Sequence, residues 1–333
     1  MLNYTIVLIG VIVVTALVFD FINGFHDSAN AIACSVSTRV LTMRQAVLMS
    51  AVMNFVGAFI NVNVAKTIGS GIVNPGLITL EVVLAALFGA IIWNVVTWYY
   101  GIPSSSSHAL IGGLVGAAIA FKGSLTIVNW SSLFSKVIIW LFLAPLIGFA
   151  VGFVFMTINY FILRKTKPAT VTKVFSKAQI FSAMLLAYNH GGNDAQKSMG
   201  IITMALVSGG IISQFAVPVW VKICCAIAMA LGTSFGGKRI IKTMGSGMAK
   251  LAPVNGFSAE MGSSAVIFAA TMLNAPVSTT HIVTTSIMGV AASKRFSAVR
   301  WGVAKDIITA WFITIPACAV ISGIIVYLFH LFS

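Results

Sequence analysis

Ten apolar stretches, separated by short polar joints, fill nearly the whole chain: residues 3–19, 45–64, 78–100, 104–121, 131–163, 179–208, 214–233, 257–274, 276–293 and 306–330. A hydrocarbon core about 30 Å thick takes roughly 20 apolar residues per helix. In lipid the backbone must satisfy its own polar groups, so such runs read as membrane helices. The stretch 131–163 is too long for one upright helix and is expected to tilt or bend. Charge points the same way. Charged residues are 8% of the 333, against roughly 25% in soluble domains. Too few polar side chains remain to cover a water-soluble surface, which excludes a soluble enzyme and a disordered chain. The net charge of +14 then reads as basic cytoplasmic loops, not as a nucleic-acid surface. The four cysteines have no metal-ligand spacing, and no resident cofactor is expected.

One joint is clearly polar. Residues 164–178 hold Arg164, Lys165, Lys167, Lys173 and Lys177 and divide the chain into 1–163 and 179–333. The two parts resemble each other. Lys66-Thr67-Ile68-Gly69-Ser70-Gly71 matches Lys242-Thr243-Met244-Gly245-Ser246-Gly247. Pro103-Ser104-Ser105-Ser106-Ser107-His108 matches Pro276-Val277-Ser278-Thr279-Thr280-His281. Phe25-His26-Asp27-Ser28-Ala29 matches Gly192-Asn193-Asp194-Ala195-Gln196. The order is kept, as in a duplicated transporter-like architecture. With the basic linker in the cytoplasm, five crossings before it put the N-terminus outside. Arg39 and Arg44 then fall inside, and Lys66 and Lys122 outside. In the second half the matching loops swap sides, bringing Lys238, Arg239, Lys242 and Lys250, and Lys294, Arg295, Arg300 and Lys305, to the inside. The expected fold is an all-α polytopic membrane protein of two inverted-topology repeats. Broken helices, re-entrant hairpins, about 10–12 membrane segments and outside termini are expected with it.

Six acidic residues in so apolar a chain carry information. An ionised carboxylate in the bilayer usually has a partner or an ion. Asp27 and Asp194 hold equivalent places. Asn23–Asn30 and Asn189–Gln196 are expected to break their helices, since Gly permits unwound backbone. Asn23 and Asn193 would then help Asp27 and Asp194 hold a coupling cation, sodium or a proton. An Asp capping a helix at a kink is the alternative. The Pro-led hydroxyl runs suit first helical turns, where free N–H groups and the dipole make an anion site. Ser104, Ser105, Ser106, Ser107, Ser278, Thr279 and Thr280 are the candidate ligands; back-bonding within a helix is the alternative. His26, His108, His190 and His281 are hydrogen-bonded structural residues or proton carriers. Lys197 follows Asp194 by three positions and is expected to pair with it or to balance an anion. Glu81 and Glu260 are secondary ion-site or gating candidates. Asp20 and Asp306, near span ends, are expected to be exposed.

Gly24-Phe25-His26-Asp27-Ser28-Ala29-Asn30-Ala31 resembles the Gly-x-Asn-Asp-x-Ala-Asn-Ala signature of the inorganic phosphate transporter (Pit) family. Gly191-Gly192-Asn193-Asp194-Ala195 resembles its second copy, and Pro276–His281 and Lys242–Gly245 also match. The resemblance implies a secondary transporter of the plasma membrane, a homodimer moving inorganic phosphate with sodium or protons. It implies ion and phosphate binding by Asp27, Asn30 and Asp194, with Gln196 beside them. The sequence departs from the pattern in three places. His26 stands in place of Asn, Gln196-Lys197-Ser198 replaces Ala-Asn-Ala, and Asn54 stands where several sodium-coupled members have Glu. The coupling ion therefore stays open. Sulfate or another tetrahedral oxyanion is an alternative cargo, and a channel an alternative mode. An intramembrane hydrolase is disfavoured, because no G-x-S-x-G or H-E-x-x-H occurs and the hydroxyls are clustered. No Arg lies in any motif, so charge compensation falls to co-bound cations.

Overall fold

The computed structural model describes residues 2–235 and 237–332. The side chains of Lys238, Arg239 and Ser246, named above for charge and repetition, lie outside the described residues. Among those described, the chain forms helices and no strand, as a lipid-facing backbone requires. The first half runs α1 (Leu2–Ser37), α2 (Met43–Gly57), α3 (Asn63–Lys66) with a π-helical turn (Thr67–Gly71), α4 (Leu80–Tyr100), α5 (Ser106–Lys122), α6 (Trp130–Leu133) and α7 (Ile139–Leu163). The second half runs α8 (Pro168–Ser208), α9 (Val219–Phe235), α10 (Lys238–Lys242) with a π-helical turn (Thr243–Gly247), α11 (Pro253–Met272), α12 (Thr279–Ala292) and α13 (Trp301–Phe332). Apart from α6 and its π-helical turn, which continue into α7 where the second half has the single helix α13, the order of helices is the same in both halves, and each matched motif falls on the matching element.

Local chemistry sets the ends. Thr42 and Gln45 form a reciprocal capping box at the start of α2. Gly101, at φ 69°, closes α4 in a left-handed conformation that glycine adopts without strain. Pro168 and Pro253 occupy first turns, where a missing N–H costs nothing. The 34-residue run Trp130–Leu163 is apolar enough to cross a membrane. It carries a π-helical turn at Phe134–Ile138 and Pro145 inside α7, both recognised sources of helix bending. Tyr4–Ser37, Leu80–Tyr100 and Trp301–Leu331 are also long and apolar enough to cross. Outward faces of α1, α7 and α13 carry exposed Val7, Val14, Phe142, Leu146, Phe161, Phe312, Val320 and Leu331, a surface suited to lipid.

Packing between the halves is reciprocal. α1 packs on α9 and α8 on α2; α13 packs on α5 and α7 on α12. Glycines make the first two contacts close. A Cβ at Gly24 would lie 2.4 Å from the Met229 carbonyl, and one at Gly232 2.0 Å from that of Phe21. On the other side a Cβ at Gly57 would lie 2.0 Å from the Tyr188 carbonyl, and one at Gly191 2.3 Å from that of Asn54. Backbones approaching this closely are typical of membrane helices joined by small residues.

This packing corrects one expectation. α1 and α8 run through Asn23–Asn30 and Asn189–Gln196 without a break. Gly24 and Gly191 serve close helix contact, not unwinding, and side-chain partners across the interface satisfy the polar groups. The interruptions fall instead at the joints 101–105 and 273–278, where α4–α5 and α11–α12 turn back as hairpins with buried tips at Pro103–Ser105 and Ala275–Ser278. Two apolar cores lie on either side of a polar layer. α1 passes from the first core (Ile9, Ile12, Ala16, Phe19) to the second (Ala29, Ile32, Cys34). α8 passes from the second (Leu186, Ala187) to the first (Ala195, Met199, Ile202). The two helices therefore cross the layer in opposite directions. Most of the basic linker is the exposed start of α8. Asp306 is exposed as expected; Asp20 is not, being fully buried on α1.

Candidate ion and anion site

α1 places Asn23, His26, Asp27 and Asn30 on one face, by helical spacing, and α8 does the same with His190, Asn193, Asp194 and Lys197. All eight are buried in the polar layer. The hairpin tips enter from the side. Ser105 caps α5 by accepting from the His108 N–H at 3.2 Å, and Ser278 caps α12 by accepting from the His281 N–H at 3.2 Å. These two hydroxyls fix the helix starts, leaving the next hydroxyls to face α1 and α8.

Asp27 is the hub. Its Oδ2 accepts from Ser106 Oγ at 2.9 Å and its Oδ1 from Thr280 Oγ1 at 3.3 Å, one hydroxyl from each hairpin. His26 Nδ1 lies 2.9 Å from Asp27 Oδ1, and His26 Nε2 lies 3.1 Å from Thr97 Oγ1. Asn30 Nδ2 donates to Thr279 Oγ1 at 3.2 Å and to Thr280 Oγ1 at 2.9 Å. On the other side, Lys197 Nζ donates to Asp194 Oδ2 at 2.7 Å and to Ser106 Oγ at 2.9 Å. His190 Nε2 lies 3.5 Å from Asp194 Oδ2. Asp27, His190 and Asp194 each offer a ligand atom within 4.8 Å of the others, a compact donor set for a cation. Asp194 Oδ1 has no hydrogen-bond partner among the described residues. Carboxylates, hydroxyls and free helix N–H groups thus meet in one buried layer, a setting for a cation and an anion side by side.

Of the candidate residues, the fold brings Asp27, Asn30, Ser106, Thr279, Thr280, Asp194 and Lys197 together. Others are placed elsewhere. Ser104 Oγ lies 2.8 Å from Thr97 Oγ1 and 3.5 Å from His26 Nε2, and Ser107 Oγ donates to the Val277 carbonyl at 3.0 Å. Asn193 donates to Thr271 Oγ1 at 2.9 Å, and Asn23 faces Met229 Sδ at 4.0 Å. Gln196 Oε1 accepts from the N–H groups of Val64 and Ala65 at 2.8 and 3.2 Å, capping α3. His108 and His281 face each other at 5.0 Å between ring centroids, and His281 stacks on Trp311 at 3.9 Å. Glu81 is half-buried at the start of α4, where Tyr4 Oη donates to it at 3.3 Å. Glu260 forms a separate buried knot, accepting from Ser35 at 3.2 Å, Gln179 at 3.3 Å and Ser182. His190 was not among the cation ligands expected from sequence. Its signal was its place one helical turn before Asp194. Asn54, 3.1 Å from His190 Nδ1, was singled out only as a departure.

An all-helical membrane protein whose two hairpins converge on a buried ionic layer belongs with the membrane transporters. The phosphate transporter family model matches residues 23–322, and the chain belongs to that family. It is 50% identical over 335 residues to a Bacillus subtilis (strain 168) protein named "Probable low-affinity inorganic phosphate transporter", covering 99% of both chains. It is 52% identical to a Rhizobium meliloti (strain 1021) protein of the same name, covering 95% of each. A solved structure titled "The sodium-dependent phosphate transporter" superposes with a TM-score of 0.87 at 23% identity, covering 98% of this chain and 99% of that one. That likeness shows the fold. The transporter names of the relatives agree with the expectation that the chain is not an enzyme.

Proposed function

We propose that this protein imports inorganic phosphate across the plasma membrane by symport with a monovalent cation, with alternating access around the buried layer. The observation that carries the reading is Asp27 held by Ser106 from one hairpin and Thr280 from the other. A tetrahedral oxyanion needs many directed donors to replace its water. The hydroxyls of Ser106, Thr279 and Thr280 and the first N–H groups of α5 and α12 supply them at the positive ends of two helix dipoles. The cation sits among Asp27, His190 and Asp194 and neutralises charge that Arg does not. Cation and phosphate then raise each other's affinity, by reciprocal linkage. The opposite passage of α1 and α8 through the two cores supports inverted repeats, and the basic charge of the linker favours a cytoplasmic linker with both termini outside.

The test is phosphate uptake into proteoliposomes with a sodium gradient and a pH gradient imposed separately, in competition with arsenate and sulfate. Uptake is expected to follow one gradient and to be inhibited more by arsenate than by sulfate. Uptake indifferent to both gradients would rule out symport, and stronger competition by sulfate would reassign the cargo.

A further inference from the structure

The two repeats are asymmetric at one pair of positions. Asn30 on α1 and Lys197 on α8 are equivalent, each three residues after the aspartate of its motif. Each reaches the hairpin of the other half. Asn30 donates to Thr279 and Thr280 at the α12 tip, and Lys197 donates to Ser106 at the α5 tip. In the first repeat that side chain is a neutral amide. In the second it is an ammonium, 1% exposed, with its charge against Asp194 at 2.7 Å.

The hydrogen-bond order follows from donor count. Lys offers only donors, so Ser106 Oγ accepts from Lys197 and turns its own proton to Asp27 Oδ2. A chain Asp194–Lys197–Ser106–Asp27 results, spanning both halves. In it Asp194 Oδ2 already has a cation partner, while the carboxylate of Asp27 is met by neutral hydroxyls and His26. A buried carboxylate demands compensating charge. Among the described residues no Lys or Arg pairs with Asp27, so in the symport reading that charge arrives with the cargo. At Asp194 it is part of the chain.

We propose that Lys197 is a resident cation that takes the place of one exchangeable coupling cation in the second repeat, so that each phosphate is carried with one monovalent cation fewer than a neutral residue at this position would require. The proposal rests on the symport reading above and names the residue that sets its stoichiometry.

The experiment uses the full chain in proteoliposomes, with the cation-to-phosphate ratio read from the reversal potential in sodium gradients and again in pH gradients. Lys197→Asn, which copies Asn30, is expected to raise the ratio by one and to steepen the cation dependence of phosphate uptake. Lys197→Arg keeps the charge and is expected to keep the wild-type ratio. Lys197→Gln, neutral and longer than Asn, is expected to raise the ratio as Lys197→Asn does. An unchanged ratio in Lys197→Asn, or a raised one in Lys197→Arg, overturns the proposal. If Lys197→Asn folds but does not turn over, calorimetric titration of the purified protein with inorganic phosphate decides. Phosphate affinity is expected to depend more steeply on added sodium or on pH than in the wild type, and an equal dependence overturns the proposal. If Lys197→Asn does not fold, Lys197→Gln decides, an unchanged ratio overturning the proposal. A wild-type protein that carries no phosphate in either gradient would instead sink the symport reading itself.

Discussion

Ser107 Oγ donates to the Val277 carbonyl at 3.0 Å, tying the tip of one hairpin to the tip of the other. The bond joins segments 170 positions apart that both bear on the polar layer. A buried hydrogen bond contributes about 1 kcal/mol, and leaving its carbonyl unpaired costs about as much again. Ser107→Ala is therefore expected to lower stability by about 1–2 kcal/mol and to weaken phosphate binding several-fold, since the tips lose their fixed spacing. Thermal unfolding in detergent and phosphate titration of the same sample check both. Wild-type affinity with reduced stability would mean that tip spacing does not matter to the anion.

Asp27 and Asp194 are expected to respond differently to the same change. Asp27→Asn leaves hydroxyls and His26 around a neutral group, all able to re-pair. Asp194→Asn leaves the Lys197 ammonium buried without its carboxylate. Removing one member of a buried ion pair costs about 3–5 kcal/mol. Both variants are expected to lose cation-coupled uptake, but Asp194→Asn is expected to unfold at a clearly lower temperature than Asp27→Asn. Uptake assays and thermal melts on the same preparations test the pair. Equal melting temperatures would show that Lys197 finds another anion.

The architecture was legible because lipid leaves few choices, and because the duplicated motifs mark equivalent elements. Asp27 and Asp194, Ser106 and Thr279, and Asn30 and Lys197 could be paired from spacing alone. The state of the backbone around them could not. A glycine beside polar residues serves equally for unwinding and for close packing. Only the approach of Met229 to Gly24 and of Asn54 to Gly191 decides between them. Depth was illegible for a similar reason. Asp20 reads as a span end in an apolar run of 17 residues, yet α1 continues to Ser37 and carries it inside. Facing direction misled at Gln196, whose amide turns away from Asp194 to cap α3, and position along the helix misled at Glu81, which lies in the first turn of α4, opposite the end that leads into the hairpin tip.

Helix spacing supplies the next expectation. A Cβ at Gly57 or Gly232 would fall 2.0 Å from a backbone carbonyl of the neighbouring helix, whereas one at Gly10 meets nothing within 4 Å. Backbone cannot yield as a side-chain end can, so α2 or α9 must shift. Overpacking of this kind costs about 1–3 kcal/mol or more. Gly57→Ala and Gly232→Ala are expected to be destabilised and to lose uptake, because the shift carries α8 or α1 with it. Gly10→Ala is expected to stay within about 0.5 kcal/mol of the wild type, as surface substitutions usually do. Thermal melts of the three variants make the comparison. Stable Gly57→Ala protein would show that the helix contact is slack.

Gln196 separates a structural from a binding role. Its Oε1 accepts from two N–H groups at the start of α3, and its Nε2 donates to Asn61 Oδ1 at 2.9 Å. Gln196→Ala leaves those buried N–H groups without a partner, at a cost of about 1–3 kcal/mol for each group left unsatisfied. The side chain makes no contact with Asp27, Ser106 or Thr279 among its hydrogen bonds. Gln196→Ala is therefore expected to melt several degrees earlier while its phosphate affinity, measured below the melting range, changes less than twofold. Gln196→Glu keeps the accepting oxygen and is expected to recover part of the lost stability despite its charge. A tenfold loss of phosphate affinity in Gln196→Ala, with little change in melting, would return the residue to the anion site.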